Sequence, residues 1–335
     1  NKQRQQRLKN QKKKLSQQQL NLQRKKKRHR VNNMVENYKV QTRWLFRSNI
    51  KLKIPERYDN EVLEEVNTRY NSYSPDSFIT KINNNSGSFV RVDDTTIEIL
   101  ETIKYYSSKL DGEYDVTIMP LIKLWGFYKD KQNVIPSEDE IEVVKKLVNY
   151  KNIEINKEAK EVKIAKDQEI ITGSFVKSFA VEKLVDKMKE MGIPRAIINA
   201  GGSTLRAVND DIQSTWGVIV ENPNDSENDL FDIEICNETF STSAQTNTYV
   251  EINGKKYGHI ISPKTGFPSE NKQIGIITES GFIGDIISTG LYNQTPERFL
   301  QIIEELSKEI KIEGFLMDKE DKIYYSRGFE NYIEK

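Results

Sequence analysis

The apolar positions of this chain change period several times, and the changes divide it into elements. Residues 44–54 alternate, with Phe46, Ile50, Leu52 and Ile54 apolar, and predict one strand that Pro55 ends. Residues 56–70 place Val62, Leu63 and Val66 on one helical face. Ser74-Pro75-Asp76 reads as a turn, and 83–88, with Gly87, as a loop. Asp93 or Asp94 caps a helix reaching about Leu110, with Ile97, Leu100, Ile103 and Tyr106 spaced as a buried stripe. Ser137, with Glu140 three residues on, is a capping box that opens a second long helix. Residues 152–156 and 161–165 predict a hairpin, and 173–191 a helix closed by Gly192 with Pro194 beyond.

The remainder is richer in strands. Residues 196–199 form a short buried run that opens into Gly201-Gly202. Further runs follow at 205–208, 216–220, 230–235, 246–252, 257–261 and 274–278, with Asn253-Gly254 as a hairpin turn. Helices near 283–292 and 296–307 and a strand pair near 311–317 and 322–325 complete the pattern. Long helices mixed with antiparallel strands predict an α+β fold with mixed or antiparallel sheets, in preference to a doubly wound parallel one. No internal repeat is present.

Charge changes this picture at the N-terminus. The totals, 51 Lys and Arg against 50 Asp and Glu, suggest balance. Residues 1–30 nevertheless hold 13 basic residues and no acid, which leaves 38 basic and 50 acidic residues from position 31 onward. A tail of +13 therefore precedes a body near −12. Residues 1–33 contain too little apolar surface to offset an ordering entropy of about 1–2 kcal/mol per residue, and are expected to be disordered or a frayed helix. The tail reads as a linker, or as an arm for anionic surfaces such as RNA, lipid headgroups or an acidic partner; no specific nucleic acid is expected. The folded portion is expected over 38–335.

Composition excludes other classes. No apolar run approaches the ~18–20 residues that span a bilayer. Cys236 is the single cysteine, so no disulfide forms within one chain, and with Ile233 and Ile235 nearby it reads as a small core residue. One cysteine and two histidines make a structural zinc site improbable.

Five constellations carry candidate chemistry. Asp285 and Thr289 are four apart on a helix, so a carboxylate and a hydroxyl can converge on a hard cation; an exposed helix pair is the simpler reading. Gly173-Ser174-Phe175-Val176-Lys177-Ser178 opens a helix where backbone N–H groups and Lys177 suit an anion, or a capped helix with a solvated lysine. Asn199-Ala200-Gly201-Gly202 follows a buried strand and lets a ligand approach the backbone, or is a plain turn. His259 starts His259-Ile260-Ile261-Ser262-Pro263, and a structural histidine is its alternative. Tyr114-Asp115-Val116-Thr117-Ile118-Met119-Pro120-Leu121 leads to Leu124-Trp125-Gly126-Phe127; Pro120 argues against a simple helix, and the aromatics suit a core or a flat ligand.

In this order and spacing the motifs resemble the ApbE-type flavin transferases, the FAD:protein FMN transferases, from about Arg43 to the C-terminus. Ser74-Pro75-Asp76-Ser77 with Lys81-Ile82-Asn83 is similar to the family's Ser-x-Pro-x-Ser…Leu-Asn segment. Asp115-Val116-Thr117…Pro120-Leu121…Leu124-Trp125-Gly126-Phe127 resembles D-P-T-x-G-P-L-x-x-L-W-G-F. Gly173…Lys177 falls at the family's G-G-x-x-K-G, Asn199 to Gly202 at N-A-G-G, and Thr242-Ser243 at T-S-G. His259…Gly266 stands at H-I-I-D-P-x-T-G and Asp285…Thr289 at D-A-x-x-T.

The resemblance implies Mg²⁺-dependent transfer of FMN from FAD to a Thr or Ser hydroxyl of an acceptor flavoprotein, with release of AMP. It implies metal ligation by Asp285, Thr289 and a carbonyl near Ser174, phosphate neutralisation by Lys177, and proton uptake by His259, which makes His259, Lys177 and Asp285 the catalytic set. Ser77, Asp115, Thr117, Pro120, Leu121, Lys177, Asn199, Gly201, Gly202 and His259 would contact FAD. Ile171, Ser203 and Ser262 stand where the family has carboxylates, and Ser178 and Ala244 where it has glycines. An FAD-binding or FAD-hydrolysing relative with weak or no transfer activity is therefore the alternative. Family members commonly act outside the cytoplasmic membrane. This chain reads as cytoplasmic as it stands, and as extracytoplasmic and membrane-associated if a signal or anchor was removed.

Overall fold

The computed structural model describes residues 38–55, 61–127, 134–245 and 248–334. The chain divides into two units, Asn1–Lys39 with Pro55–Tyr58, and Val40–Ile54 with Asp59–Lys335; the second carries the architecture below. The basic segment 1–33 lies outside the described residues. So do 56–60 of the expected first helix, and Thr246 of the strand expected from that position.

Strands β1 (Tyr38–Leu45) and β2 (Ser48–Pro55) are followed by α1 (Glu61–Tyr70), α2 (Phe78–Asn84), β3 (Val90–Arg91) and α3 (Asp94–Lys109). Next come α4 (Met119–Leu124), α5 (Glu138–Lys145), β4 (Glu154–Asn156), β5 (Glu161–Lys163) and α6 (Val176–Glu190). The strand-rich stretch comprises β6 (Ala196–Ala200), β7 (Thr204–Val208), β8 (Trp216–Asn222), β9 (Asp225–Ile235), β10 (Thr239–Ala244), β11 (Tyr249–Ile252), β12 (Lys255–Gly258) and β13 (Gln273–Thr278). Helices α7 (Gly281–Leu291) and α8 (Pro296–Leu306) and strands β14 (Ile312–Met317) and β15 (Ile323–Tyr325) follow.

The fold is α+β, as the pattern predicts. One eight-stranded sheet runs in the order β1-β2-β6-β7-β10-β13-β14-β15, and its neighbours from β2 to β15 are antiparallel. The β8–β9 ribbon covers one face, where Val218, Val220, Ile233 and Ile235 pack on Ala207, Phe240, Ile277 and Phe315. Residues of the opposite pleat, Thr239, Ser241 and Thr278, face α7 through its closely packed Gly281 and Gly284. A second core, Met119, Leu121, Ile122, Trp125 and Ile141 with Val250, Ile252 and Ile261, joins α4 and α5 to the β11–β12 hairpin. No helix among the described residues is long and apolar enough to cross a membrane.

Four expectations are corrected. Residues 44–54 are not one strand: the chain reverses at Phe46 and Arg47, whose φ values of 53° and 57° make the turn between β1 and β2. Left-handed backbone costs a side-chain-bearing residue about 1–2 kcal/mol, and the usual turn residues are absent here, so no sequence signal marks the reversal. Pro120 does not prevent a helix, because it stands in the first turn of α4, where no intrahelical partner awaits its missing N–H. Cys236 is exposed, lying past the end of β9. The helix expected from 173 begins at Val176, residues 173–175 forming the turn before it. Three further elements were not expected: α2, capped by Ser77, the two-residue strand β3, and β10, which is rich in Ser and Thr.

Gly275 of β13 tests the packing of the sheet on its ribbon. A Cβ there would lie 2.4 Å from the Phe315 ring and 2.5 Å from Phe240. Gly275→Ala is expected to destabilise the protein by about 1–3 kcal/mol, read as a lower urea midpoint at unchanged slope.

Candidate active site

The site is assembled where α6 and α7 meet the hydroxyl-bearing face of the large sheet. Asp285 of α7 is buried, and Thr204 Oγ1 of β7 donates to its two carboxylate oxygens at 2.9 and 3.1 Å. Burial pushes its pKa up to about 6, against the opposing effects of the Ser241 and Ser178 hydroxyls and the Lys177 ammonium. Burial likewise lowers the pKa of Lys177, and Asp285 opposes that shift. Lys177 Nζ donates to Ser203 Oγ at 3.0 Å. Gly284 lets α7 come this close, since a Cβ would stand 2.6 Å from Thr278 Oγ1 and 2.8 Å from Ser241 Oγ. One turn on, Thr289 Oγ1 donates to the Asp285 carbonyl at 2.8 Å.

Two adjoining cavities open around this pair. One, about 310 Å³, is walled by apolar side chains including Val116, Ile118, Ile122, Phe127 and Ile171, and reaches Ser174 and Thr289. The other, about 500 Å³, is polar, and Lys177, Asn199, Gly201, Gly202, Ser203 and Thr242 line it. Phe46, Arg47, Thr248, His259 and Ile260 belong to both. His259 Nδ1 lies 3.2 Å from the Thr248 carbonyl. A carbonyl only accepts, so Nδ1 carries the proton and Nε2 keeps its lone pair. Burial holds the His259 pKa below the usual histidine value, and Lys177 acts in the same direction.

The expected site residues separate into two groups. Asp115, Ser174, Thr289 and His259 reach the apolar chamber, while Lys177, Asn199, Gly201, Gly202 and His259 reach the polar one. Asp285 lines neither and stands behind them, held by Thr204. Ser77, Thr117 and Leu121 are fully buried away from both chambers. Ser77 caps α2 by accepting from Thr80 N, and Leu121 packs in the Trp125 core. Asp115 accepts from Thr117 N, Thr117 Oγ1 and Tyr150 N, and Thr117 Oγ1 accepts from Asn149 N, so this motif ties two loops together. Pro120 also lies off the chambers, in the first turn of α4.

The structure gives partners to two motif residues, Ser262 and Tyr114, and adds Glu113, Thr204, Tyr73 and Arg47, which the sequence did not single out. Ser262 Oγ donates to the Glu113 carboxylate at 2.7 Å, and burial raises the Glu113 pKa. A carboxylate from another segment thus stands beside Ser262. Tyr114 OH lies 2.8 Å from Ser174 Oγ, and Tyr73 and Arg47 meet at the rim of the apolar chamber. Glu113 and Tyr114 directly precede Asp115, and Thr204 follows the glycine pair by two residues; that proximity was the available signal.

The fold is one shared with solved flavin transferases. Residues 37–312 match the sequence model described as the ApbE family, and the chain belongs to that family. It is 27% identical to the FAD:protein FMN transferase of Escherichia coli K12 over 292 residues, 82% of each chain. Against the protein of the same name from Vibrio cholerae serotype O1 it is 26% identical over 287 residues, 82% of this chain and 84% of the relative. Among solved structures, the ApbE protein of Thermotoga maritima aligns with a TM-score of 0.80 at 20% identity, over 89% of this chain and all of that one. The apo flavinyl transferase ApbE of Pseudomonas stutzeri gives 0.75 at 23% identity, over 89% of this chain and 97% of that one.

Gly201 probes how the chambers are held. At φ 73°, its Cβ would lie 2.2 Å from Ser48 Oγ and 3.1 Å from Lys177 Nζ. Gly201→Ala is expected to destabilise the fold by about 1–3 kcal/mol, and adding Ser48→Gly to recover part of that loss, measured as a double-mutant cycle.

Proposed function

We propose that the protein transfers the FMN half of FAD to a Thr or Ser hydroxyl of an acceptor flavoprotein, releasing AMP, with Mg²⁺ bound. The observation that carries this reading is buried Asp285 with half-buried Lys177 beside two chambers of opposite polarity. A flat flavin suits apolar walls, and a ribose and phosphates suit the polar ones. A diphosphate linking the two then passes near Lys177, whose charge opposes that of the phosphates.

In the reaction the acceptor oxygen attacks the flavin-side phosphorus. An O–P bond forms, the bond to the AMP phosphate oxygen breaks, and AMP carries away that electron pair. His259 Nε2 takes the acceptor proton, and the hydrogen bond from Nδ1 to Thr248 keeps the ring in the required tautomer. Catalysis on this reading is positioning and charge neutralisation rather than covalent participation by the enzyme.

The donor chemistry fits a hard divalent cation. Asp285 supplies a carboxylate, Thr289 a hydroxyl and the turn at Ser174 a carbonyl, all oxygen, leaving other positions for water and phosphate. When bound, Mg²⁺ supplies charge neutralisation at the diphosphate. Among the described residues no group of three or more His, Cys, Asp or Glu side chains is placed to hold a metal. A site with one protein carboxylate is the kind Mg²⁺ occupies together with substrate.

The test is incubation with FAD, Mg²⁺ and a candidate acceptor, followed by mass spectrometry of the acceptor. An FMN increment is expected, abolished in Asp285→Ala. Release of FMN and AMP without an acceptor would instead favour a pyrophosphatase, and no increment on any acceptor would defeat the transfer reading.

The pH profile gives a second check. His259 acts as a base only when neutral, so the rate rises with pH through its pKa, which burial holds below the ordinary histidine value. Asp285, pushed up to about 6, must be charged to hold a metal, so Mg²⁺ affinity falls as pH drops through that value. His259→Ala is expected to lower the plateau by roughly 10²–10⁴-fold. A plateau reached only above pH 8 would contradict the assignment.

A further inference from the structure

We infer that Arg47 is a positioning residue for the diphosphate of the dinucleotide, a reading that rests on FAD as substrate. Phe46 and Arg47 form the tip of the β1–β2 hairpin, and both have positive φ. Turns of this hand are normally built from Asn and Gly, because other side chains strain the backbone there. Two large side chains kept in that conformation point to a role for what they carry.

The tip is held firmly. Strand β2 pairs with β6, Ile50 opposite Ala200, and Gly201 N donates to the Asn49 carbonyl at 3.0 Å. Ser48 packs against Gly201 at a distance that only glycine allows. The hairpin tip is thereby fixed to the Gly201-Gly202 turn that lines the polar chamber, while Phe46 and Arg47 also line the apolar one.

The Arg47 guanidinium lies 4.2 Å from the centroid of the Tyr73 ring and forms no ion pair among the described residues. Stacking on an aromatic face restricts a guanidinium while leaving its N–H fork free for an anion. A dinucleotide occupying both chambers crosses the residues they share. Its charged segment is the diphosphate that joins its halves, and a planar fork of N–H donors suits phosphate oxygens. Arg47 therefore supplies from the rim a second positive charge to complement Lys177 from below.

The test measures FAD and riboflavin binding to the full chain by flavin fluorescence, without acceptor. Riboflavin carries the same ring system and no phosphate. Arg47→Ala is expected to weaken FAD binding about tenfold and to change riboflavin binding by less than about twofold, with Arg47→Lys between the two. Arg47→Gly separates folding from binding: it relieves the left-handed backbone, so the unfolding temperature rises while FAD affinity falls. FAD affinity unchanged in Arg47→Ala and Arg47→Gly, or equal losses for FAD and riboflavin, would overturn the inference. Wild-type protein unable to bind FAD would overturn the substrate reading as well, whereas wild-type binding that Arg47→Ala leaves intact overturns this inference alone.

Discussion

A carboxylate taken out of water strongly favours its neutral form unless something compensates the charge, and the surroundings of Asp285 are arranged around that requirement. Thr204 donates to it from β7, Ser241 and Ser178 stabilise its charged form, and Lys177 offsets its charge from α6. The compensation is incomplete, since the pKa remains pushed up to about 6. Incomplete compensation is what a cation-binding carboxylate needs: a fully satisfied one gains little from a metal, and an unsatisfied one destabilises the fold. The glycine at 284 and the hydroxyl-rich pleat of the sheet follow from the same requirement, because a large side chain on either would push α7 away.

That requirement also explains which parts of the fold were legible in the sequence. Helices α3, α5, α7 and α8 and the strand pair at the C-terminus follow from apolar period and caps. Strand β10 does not, because its buried face is Thr239, Ser241 and Ser243, which read as loop when the partner carboxylate is unknown. The Phe46–Arg47 reversal was hidden for a related reason: its residues are those a turn would avoid, and they are held by contacts more than a hundred positions away in sequence.

The site shows the same division. Asp285, Thr289, Lys177, Ser174, His259 and the Asn199–Gly202 turn converge on the two chambers, although Asp285 itself stands behind their walls. Ser77, Thr117 and Leu121 sit in recognisable motifs yet build the frame and not the walls, a difference that depends on which way a side chain faces. Where Ser262 stands in place of an acid, Glu113 brings a carboxylate from another segment, and no reading of the 259–266 stretch alone reveals it. The acidic body, near −12 from position 31 onward, sets a field adverse to phosphates, so the few cations at the chambers act locally and at short range.

The pairing of β2 with β6 sets Ile50 against Ala200, 150 positions along the chain. A ribosome adding roughly 5–20 residues per second completes β6 about 7–30 seconds after β2 has been made. Until then β2 lacks its neighbour on the β6 side, and the apolar row Ile50, Leu52 and Ile54, fully buried in the finished protein, waits for the surface that covers it. Pairings across such separations form late, so the rim of the cleft, synthesised well before the strand it docks on, is fixed only after that strand is made. Birth order and assembly order differ at the rim.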